Sequence, residues 1–351
     1  MNGGQLQTCG MIGMLMPWYV FDIELKYTVL SGAEKISELN RTVPMKGTRV
    51  AYLNGEFLPE SEVSVSFRDR GFVLGDAVFD AARTFNGKIF RLVEHVDRLY
   101  RSLEAVQIDP GISSEEMIRI TESIVEKNLP LLSEGEDYWV MQRVTRGETV
   151  VGGELRDSTG PTVIVECTPL PLRARAHLFQ EGIDVLTPTA RRVPPECLNP
   201  NVKSHNYLNL VLADLEVRDQ ADNPWAVLLD TRGFLSEGIG SNVFLVRDGQ
   251  LLTPRAQYVL EGVSRQVVLE LAASLGIAVL EADLSVVDAE NAEEAFITST
   301  SFCLCPVRTY NGKQIGNGSI PGPVTQSLTD AFCKLVNCDF VAQYVRTLDD
   351  G

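Results

Sequence analysis

From Arg49 onward the apolar positions follow two periods, alternating along short runs and recurring at helical spacing along longer ones, which predicts strands interleaved with helices. Val50-Ala51-Tyr52-Leu53 reads as a strand, Asn54-Gly55 supplies the positive φ angles of a tight hairpin, and Glu56-Phe57-Leu58-Pro59 returns. Gly71 to Phe85 is a glycine-punctuated apolar segment that turns at Asn86-Gly87 into Lys88-Ile89-Phe90-Arg91, a second hairpin of the same design. Val96, Leu99, Leu103 and Val106 share one face of a helix predicted over Val93 to Val106. Ser113 or Ser114, with glutamates behind it, starts another over Ser114 to Lys127. Strands at Tyr138 to Thr145 and Thr162 to Cys167 complete an α+β first half.

Pro169-Leu170-Pro171 and the basic Arg173-Ala174-Arg175 then break the pattern. Beyond them, strands at Ile183 to Leu186, Trp225 to Asp230, Asn242 to Val246 and Ala295 to Thr298 alternate with helices at Asn206 to Ala221, Ser264 to Leu275 and Thr325 to Leu335. The expected organisation is an N-terminal extension at 1–48, a small α+β domain at 49–168, a linker at 169–176 and a larger α/β domain at 177–351, with a cleft between the two domains. The apolar stretch Gly10 to Phe21 has no basic leader, contains Pro17 and falls short of the ~20 residues that span a bilayer, so neither a signal nor a membrane anchor is expected.

Composition narrows the class. With 44% hydrophobic and 22% charged residues in 351, the chain reads as a soluble globular protein long enough for two domains. A formal charge of −16 without any dense Lys/Arg cluster opposes binding to a phosphate backbone, so nucleic acid is not an expected partner. Seven cysteines scattered without a scaffold rhythm fit reduced thiols in a cytoplasm. Cys303 and Cys305 read as strand residues, because the chain has no second such pair and only three histidines, at 95, 177 and 205.

No catalytic triad, HExxH, Walker loop or G-x-G-x-x-G stands out. The chemistry concentrates at Asn201-Val202-Lys203-Ser204-His205-Asn206-Tyr207-Leu208-Asn209, where a lysine sits just before an apolar helix. A desolvated lysine can be the neutral amine that attack on a carbonyl requires. The alternative is a lysine snorkelling from a helix start.

Six segments, in order, extend this picture: Asp69-Arg70-Gly71-Phe72 with Gly75-Asp76-Ala77-Val78-Phe79; Phe90-Arg91-Leu92 with Glu94-His95 and Arg98-Leu99; Val202-Lys203 with Asn206 to Asn209; Leu235-Ser236-Glu237-Gly238 with Ser241 to Phe244; Leu260 to Arg265; and Phe296 to Thr300 with Pro306-Val307. Through them the chain from Ala51 to Leu335 resembles the class IV (fold-type IV) pyridoxal-phosphate (PLP) aminotransferases. That family includes branched-chain and D-amino-acid aminotransferases, (R)-amine transaminases and aminodeoxychorismate lyases. The resemblance implies a two-domain, homodimeric enzyme with PLP in the cleft, moving an amino group between a small amino donor and a keto acceptor through a Schiff base at Lys203. It implies that Glu237 faces the pyridine nitrogen and that Tyr207 contacts the ring oxygen. Arg98, the backbone N–H groups of Val263 and Ser264, and the Thr300 hydroxyl then take the phosphate. Arg98 shares a helix face with His95 and Ser102, and an ion pair with Glu94 is its alternative. A turn carboxylate at Glu237, an N-cap at Ser264 and a core tyrosine at Tyr207 are the plain alternatives for those residues.

Ser301-Phe302 occupies the turn that, by the resemblance, faces the substrate carboxylate, with Phe302 larger than the small residue common there. Alternation along Tyr138 to Thr145 places Trp139, Met141, Arg143 and Thr145 on one face. Phe79, Trp139, Met141 and Phe302 are thus the expected pocket walls and Arg143 a candidate carboxylate partner. Branched-chain L-amino acids are the first expectation, from Tyr207 and the Asn206-to-Asn209 run. D-amino acids or (R)-amines come second, from Val144-Thr145-Arg146-Gly147 and Arg192-Val193-Pro194-Pro195, and a lyase third.

Overall fold

The computed structural model describes residues 47–154 and 156–348; nearly all of the extension expected at 1–48 lies outside the described residues. The first sheet has six strands, all pairing antiparallel: β1 (Val50–Leu53), β2 (Glu56–Pro59), β3 (Ala77–Phe85), β4 (Lys88–Ile89), β5 (Tyr138–Thr145) and β6 (Thr162–Pro169), in the order β2-β1-β6-β5-β3-β4. A short helix, α1 (Arg70–Leu74), precedes β3, and α2 (Leu92–Ala105) and α3 (Ser114–Asn128) follow β4. Alternation along β5 decides which face goes where. Tyr138, Val140, Gln142 and Val144 are buried, whereas Trp139, Met141 and Arg143 stay partly exposed. The buried row belongs to a core with Val96, Leu99 and Leu103 of α2 and Met117, Ile120 and Ile124 of α3, which leaves the other face of the strand to line a cleft.

The second sheet is mixed and has nine strands: β7 (Ile183–Leu186), β8 (Pro224–Leu229), β9 (Leu235–Gly238), β10 (Asn242–Arg247), β11 (Gln250–Pro254), β12 (Val279–Ala282), β13 (Glu294–Ser299), β14 (Cys303–Tyr310) and β15 (Lys313–Gln314). Their order is β12-β11-β10-β13-β14-β7-β8-β9, with β15 on β14. Its central strands bury both faces, as continuous apolar runs do. Phe244, Val246, Phe296 and Leu304 go to one side with Val268 and Leu328, while Val243, Leu245, Ile297 and Cys305 go to the other with Phe179 and Tyr344. The covering helices are α4 (Leu172–Glu181), α6 (Val263–Ser274), α8 (Pro323–Val336) and α9 (Phe340–Val345), with α5 (Leu208–Val217) and α7 (Val286–Glu290) between strands. Cys303 and Cys305 lie in β14 as strand residues, and burial pushes the Cys303 thiol up to about 12.

Two local expectations change. The segment 169–176 is not an irregular connection throughout, because α4 starts inside it: Pro171 sits at the N-cap, where a missing N–H is tolerated, and Leu172, Ala176, Leu178 and Phe179 bury. The helix expected over Asn206 to Ala221 is shorter, Leu208–Val217, since the residues from Asn201 to Asn206 are held elsewhere.

Candidate active site

What holds them is β3. The Phe79 N–H donates to the Lys203 carbonyl at 2.9 Å, the His205 N–H donates to the Ala77 carbonyl at 2.9 Å, and the Lys203 N–H donates to Ser102 Oγ on α2 at 3.2 Å. The lysine backbone is thereby tied to both layers of the first sheet, and its side chain is only 8% exposed, which removes the snorkelling alternative. Its Nζ lies 3.2 Å from the Tyr207 hydroxyl and 4.5 Å from the centre of the Phe79 ring. Phe79 in turn meets Tyr207 and His205 edge to face.

Asp80, the next residue of β3, is fully buried and organises the helix face beside the lysine. Its carboxylate accepts from Arg98 Nε and Nη2, both at 2.8 Å, and lies 2.7 Å from His95 Nδ1. Burial alone would push Asp80 up; the charges of Arg98 and His95 overcome it and hold the carboxyl well below the usual carboxylate range. Burial pulls the His95 ring below its ordinary value, against the opposite pull of the Asp80 carboxylate. Arg98 does not pair with Glu94, which binds Arg91. A third donor, Nη1, reaches the Glu261 carbonyl at 3.1 Å, and the remaining N–H groups of the guanidinium are left for the cavity it lines.

That cavity brings together every residue expected to bind a cofactor: Arg98, Lys203, Tyr207, Glu237, Val263, Ser264 and Thr300. Glu237 is fixed by Arg192 Nε and by the Leu260 N–H, each at 2.9 Å. Helix α6 begins at Val263 with no side chain capping it, and Ser264 Oγ donates to the Ser299 carbonyl at 3.0 Å instead, so the N-cap alternative for Ser264 fails and the first amides of the helix face the cavity. Gly262 is needed there, because a Cβ would come within 2.2 Å of Asn242 Oδ1. Thr298 Oγ1, of a residue lining the same cavity, is buried without any partner among the described residues. A donor-rich end, a carboxylate at the other wall and a lysine between suit a molecule with a phosphate and a basic ring nitrogen, which is the shape of PLP.

A second cavity of about 330 Å³ adjoins it through Lys203, Tyr207, Ser299 and Thr300; Phe79, Ala81, Trp139, Met141, Trp225 and Ile239 supply its apolar walls. Two expected substrate residues stand elsewhere. Phe302 is fully buried in the core, 5.2 Å from the Trp225 ring and 6.2 Å from the Phe179 ring, because it faces inward at the start of β14 and backs the cavity instead of lining it. Arg143 is neutralised by Glu166 and lines a different depression with Phe79, His205 and Tyr207. Ser301 does line the cavity. Asp80, Arg175, Arg192, Trp225 and Ile239 were not singled out as site residues. Asp80 alone carried a signal, as a lone carboxylate in the apolar run Ala77-Val78-Phe79-Asp80-Ala81-Ala82.

His205 offers a pH test. Burial first, then the nearby Arg143 charge, pulls it from 6.5 to about 4. The unfolded chain therefore binds the proton first as pH falls, and stability should drop between about pH 6.5 and 4 by up to ~3 kcal/mol. Urea unfolding across this range should give a flatter profile for His205→Asn than for the parent; parallel profiles would contradict the assignment.

A buried lysine between an anion cradle and a fixed carboxylate, at the meeting of two sheets, is the site of a PLP enzyme that works through its lysine. The sequence profile of the amino-transferase class IV family matches residues 77–310, and the chain belongs to that family. It is therefore a PLP-dependent aminotransferase. It is 39% identical over 283 residues to a Methanocaldococcus jannaschii protein provisionally named a branched-chain-amino-acid aminotransferase, covering 80% of this chain and 94% of the relative. The D-alanine aminotransferase of Staphylococcus haemolyticus is 32% identical over 81% of this chain and 97% of its own length. Among solved structures, the branched-chain amino acid aminotransferase of Escherichia coli superposes with a TM-score of 0.76 at 28% identity, covering 83% of this chain and 95% of that one.

Proposed function

We propose that the enzyme moves an amino group between a small, partly apolar amino acid, branched-chain L-amino acids first, and a 2-keto acid. The observation that carries this reading is the apolar cavity of Phe79, Ala81, Trp139, Met141, Trp225 and Ile239 opening onto Lys203 and Tyr207. When bound, PLP supplies the electron sink; Arg98 and the amides of Val263 and Ser264 would hold its phosphate, joined by the Thr300 hydroxyl once it turns from the Ala81 carbonyl, to which it donates at 3.0 Å, and Glu237 would face its ring nitrogen. Lys203 Nζ then serves as the base and acid that moves the proton at the substrate α-carbon. A D-amino-acid reading is kept because of the D-alanine aminotransferase relative. The test is the visible absorption of the loaded enzyme with L-amino acids, D-amino acids and (R)-amines in turn. Bleaching by L-leucine, reversed by a 2-keto acid, supports the first reading; bleaching by D-alanine alone replaces it with the second; bleaching by none, with elimination products instead, points to a lyase.

The working form is a homodimer in the cytoplasm. Phe72 on α1 is 75% and Leu208 on α5 68% exposed, apolar surface of the kind subunits cover. The described cysteines are free thiols, as a reducing compartment keeps them. We take the two sheets as the centres of a small domain at 49–168 and a larger one at 177–351.

For Glu237→Gln the amide keeps the shape but loses the charge that faces the ring nitrogen. The expected result is a fall in kcat of about 10²- to 10³-fold with cofactor still bound, measured by steady-state kinetics and absorption. An unchanged kcat would assign Glu237 a merely structural role.

A further inference from the structure

Among the cleft arginines, Arg98 is neutralised by Asp80, Arg143 by Glu166 and Arg192 by Glu237. Arg175 is different. It stands on α4, partly buried, and lines the apolar cavity beside Trp139, Met141 and Ser301, yet among the described residues no carboxylate comes within ion-pair distance of it. Its one hydrogen bond among the described residues runs from Nη1 to Ser301 Oγ. The flat faces of the guanidinium are covered instead: its carbon lies 4.7 Å from the Phe302 ring centre and 5.6 Å from that of Trp139. Such stacking fixes the plane of the fork while leaving its edge free.

The surroundings are built to keep it there. The Ser301 carbonyl accepts from the buried Arg83 Nη1 at 3.0 Å and from the Tyr344 hydroxyl at 2.7 Å, so the turn that positions Ser301 Oγ is immobilised from behind. A partly buried cation without a counter-charge costs stability unless a ligand completes it. An acceptor carrying a negative charge and more than one oxygen would satisfy the free edge of the guanidinium.

We propose that Arg175, with the Ser301 hydroxyl, binds a carboxylate of the amino donor and of the keto acceptor. The assignment rests on the aminotransferase reading and gives that reading a substrate anchor that Arg143, already neutralised, does not provide. It selects amino acids over simple amines, because an amine without a carboxylate leaves the guanidinium uncompensated.

The test uses the PLP-loaded enzyme as the parent, Arg175→Met and Arg175→Lys. Calorimetric titration with glutarate, an unreactive dicarboxylate, and with glutaramide, its uncharged analogue, reads binding apart from turnover. In Arg175→Met, glutarate affinity should fall about 10- to 100-fold while glutaramide affinity holds, and Arg175→Lys should recover part of the loss. Equal glutarate affinity in parent and Met variant, or equal loss for both probes, overturns the proposal. Half-reaction rates with L-leucine, L-glutamate and isopentylamine then locate the carboxylate. Loss with both amino acids places it on the α-carbon; loss with L-glutamate alone places it on the side chain; equal loss with isopentylamine contradicts the assignment. Failure of all donors to react would instead remove the aminotransferase reading and leave the glutarate result standing.

Discussion

Lys203→Ala should lose at least about 10⁴-fold in turnover with any amino donor, because one side chain supplies both the amine that links the cofactor and the proton transfer at the substrate carbon. The backbone around it should not change: the Phe79, Ala77 and Ser102 contacts involve main-chain atoms of residues 203 and 205 that alanine keeps. Stability should therefore stay near that of the parent or rise slightly, since a buried amine facing Phe79 and Tyr207 is costly to desolvate. Two measurements check this, amino-group exchange by coupled assay and the yellow absorption of the lysine-bound cofactor, with unfolding in urea as the control for folding. Loss of both signals with an intact unfolding transition is the expected pattern. Retained absorption would move the cofactor link to another amine and remove Lys203 from its role.

Why Lys203 was legible, and some of its neighbours were not, has a physical reason. Many residues that line the polar cavity sit in turns and helix starts, where the backbone geometry constrains the local string: Gly262 before α6, Glu237 at the end of β9, and Asn206 and Tyr207 before α5. Those strings are recognisable wherever the turn recurs. Substrate-facing residues are set by which strand face meets the cavity and by side chains far away in the chain, so Trp225 and Ile239 enter the pocket with no local mark. Alternation put Trp139 and Met141 on the cavity side of the strand because β5 has one face against α2 and α3 and so has a defined outside. Phe302 failed for the opposite reason. At the entry to a strand buried on both sides, no period distinguishes a wall of the pocket from the core behind it. Arg175 was hidden by composition, since Arg173-Ala174-Arg175 after two prolines resembles a solvated connection, whereas the chain resumes a helix there and turns one of the two arginines inward.

Asp80→Asn is the second substitution with a large expected effect, and it separates two duties of Arg98. In the parent, the Asp80 carboxylate balances a buried guanidinium and receives the His95 ring, so its removal leaves a charge without a partner in the first sheet. Breaking one side of such a pair costs about 3–5 kcal/mol. The sign with pH follows from the depressed carboxyl. The unfolded chain takes the proton more readily, so this stabilisation is complete above the ordinary carboxylate range and fades only in acid. The deficit of the variant should thus be the same at pH 6 and pH 8, unlike the His205 effect, which lies below about pH 6.5. Cofactor changes the size of the deficit, because a phosphate held by Arg98 supplies the negative charge that the asparagine cannot. Urea unfolding of Asp80→Asn and parent, each with and without PLP, should show most of the 3–5 kcal/mol loss in the empty protein and a smaller one in the loaded protein. A deficit of the same size in both states would mean that Arg98 serves Asp80 alone, and that the phosphate is carried by the amides of Val263 and Ser264 without it.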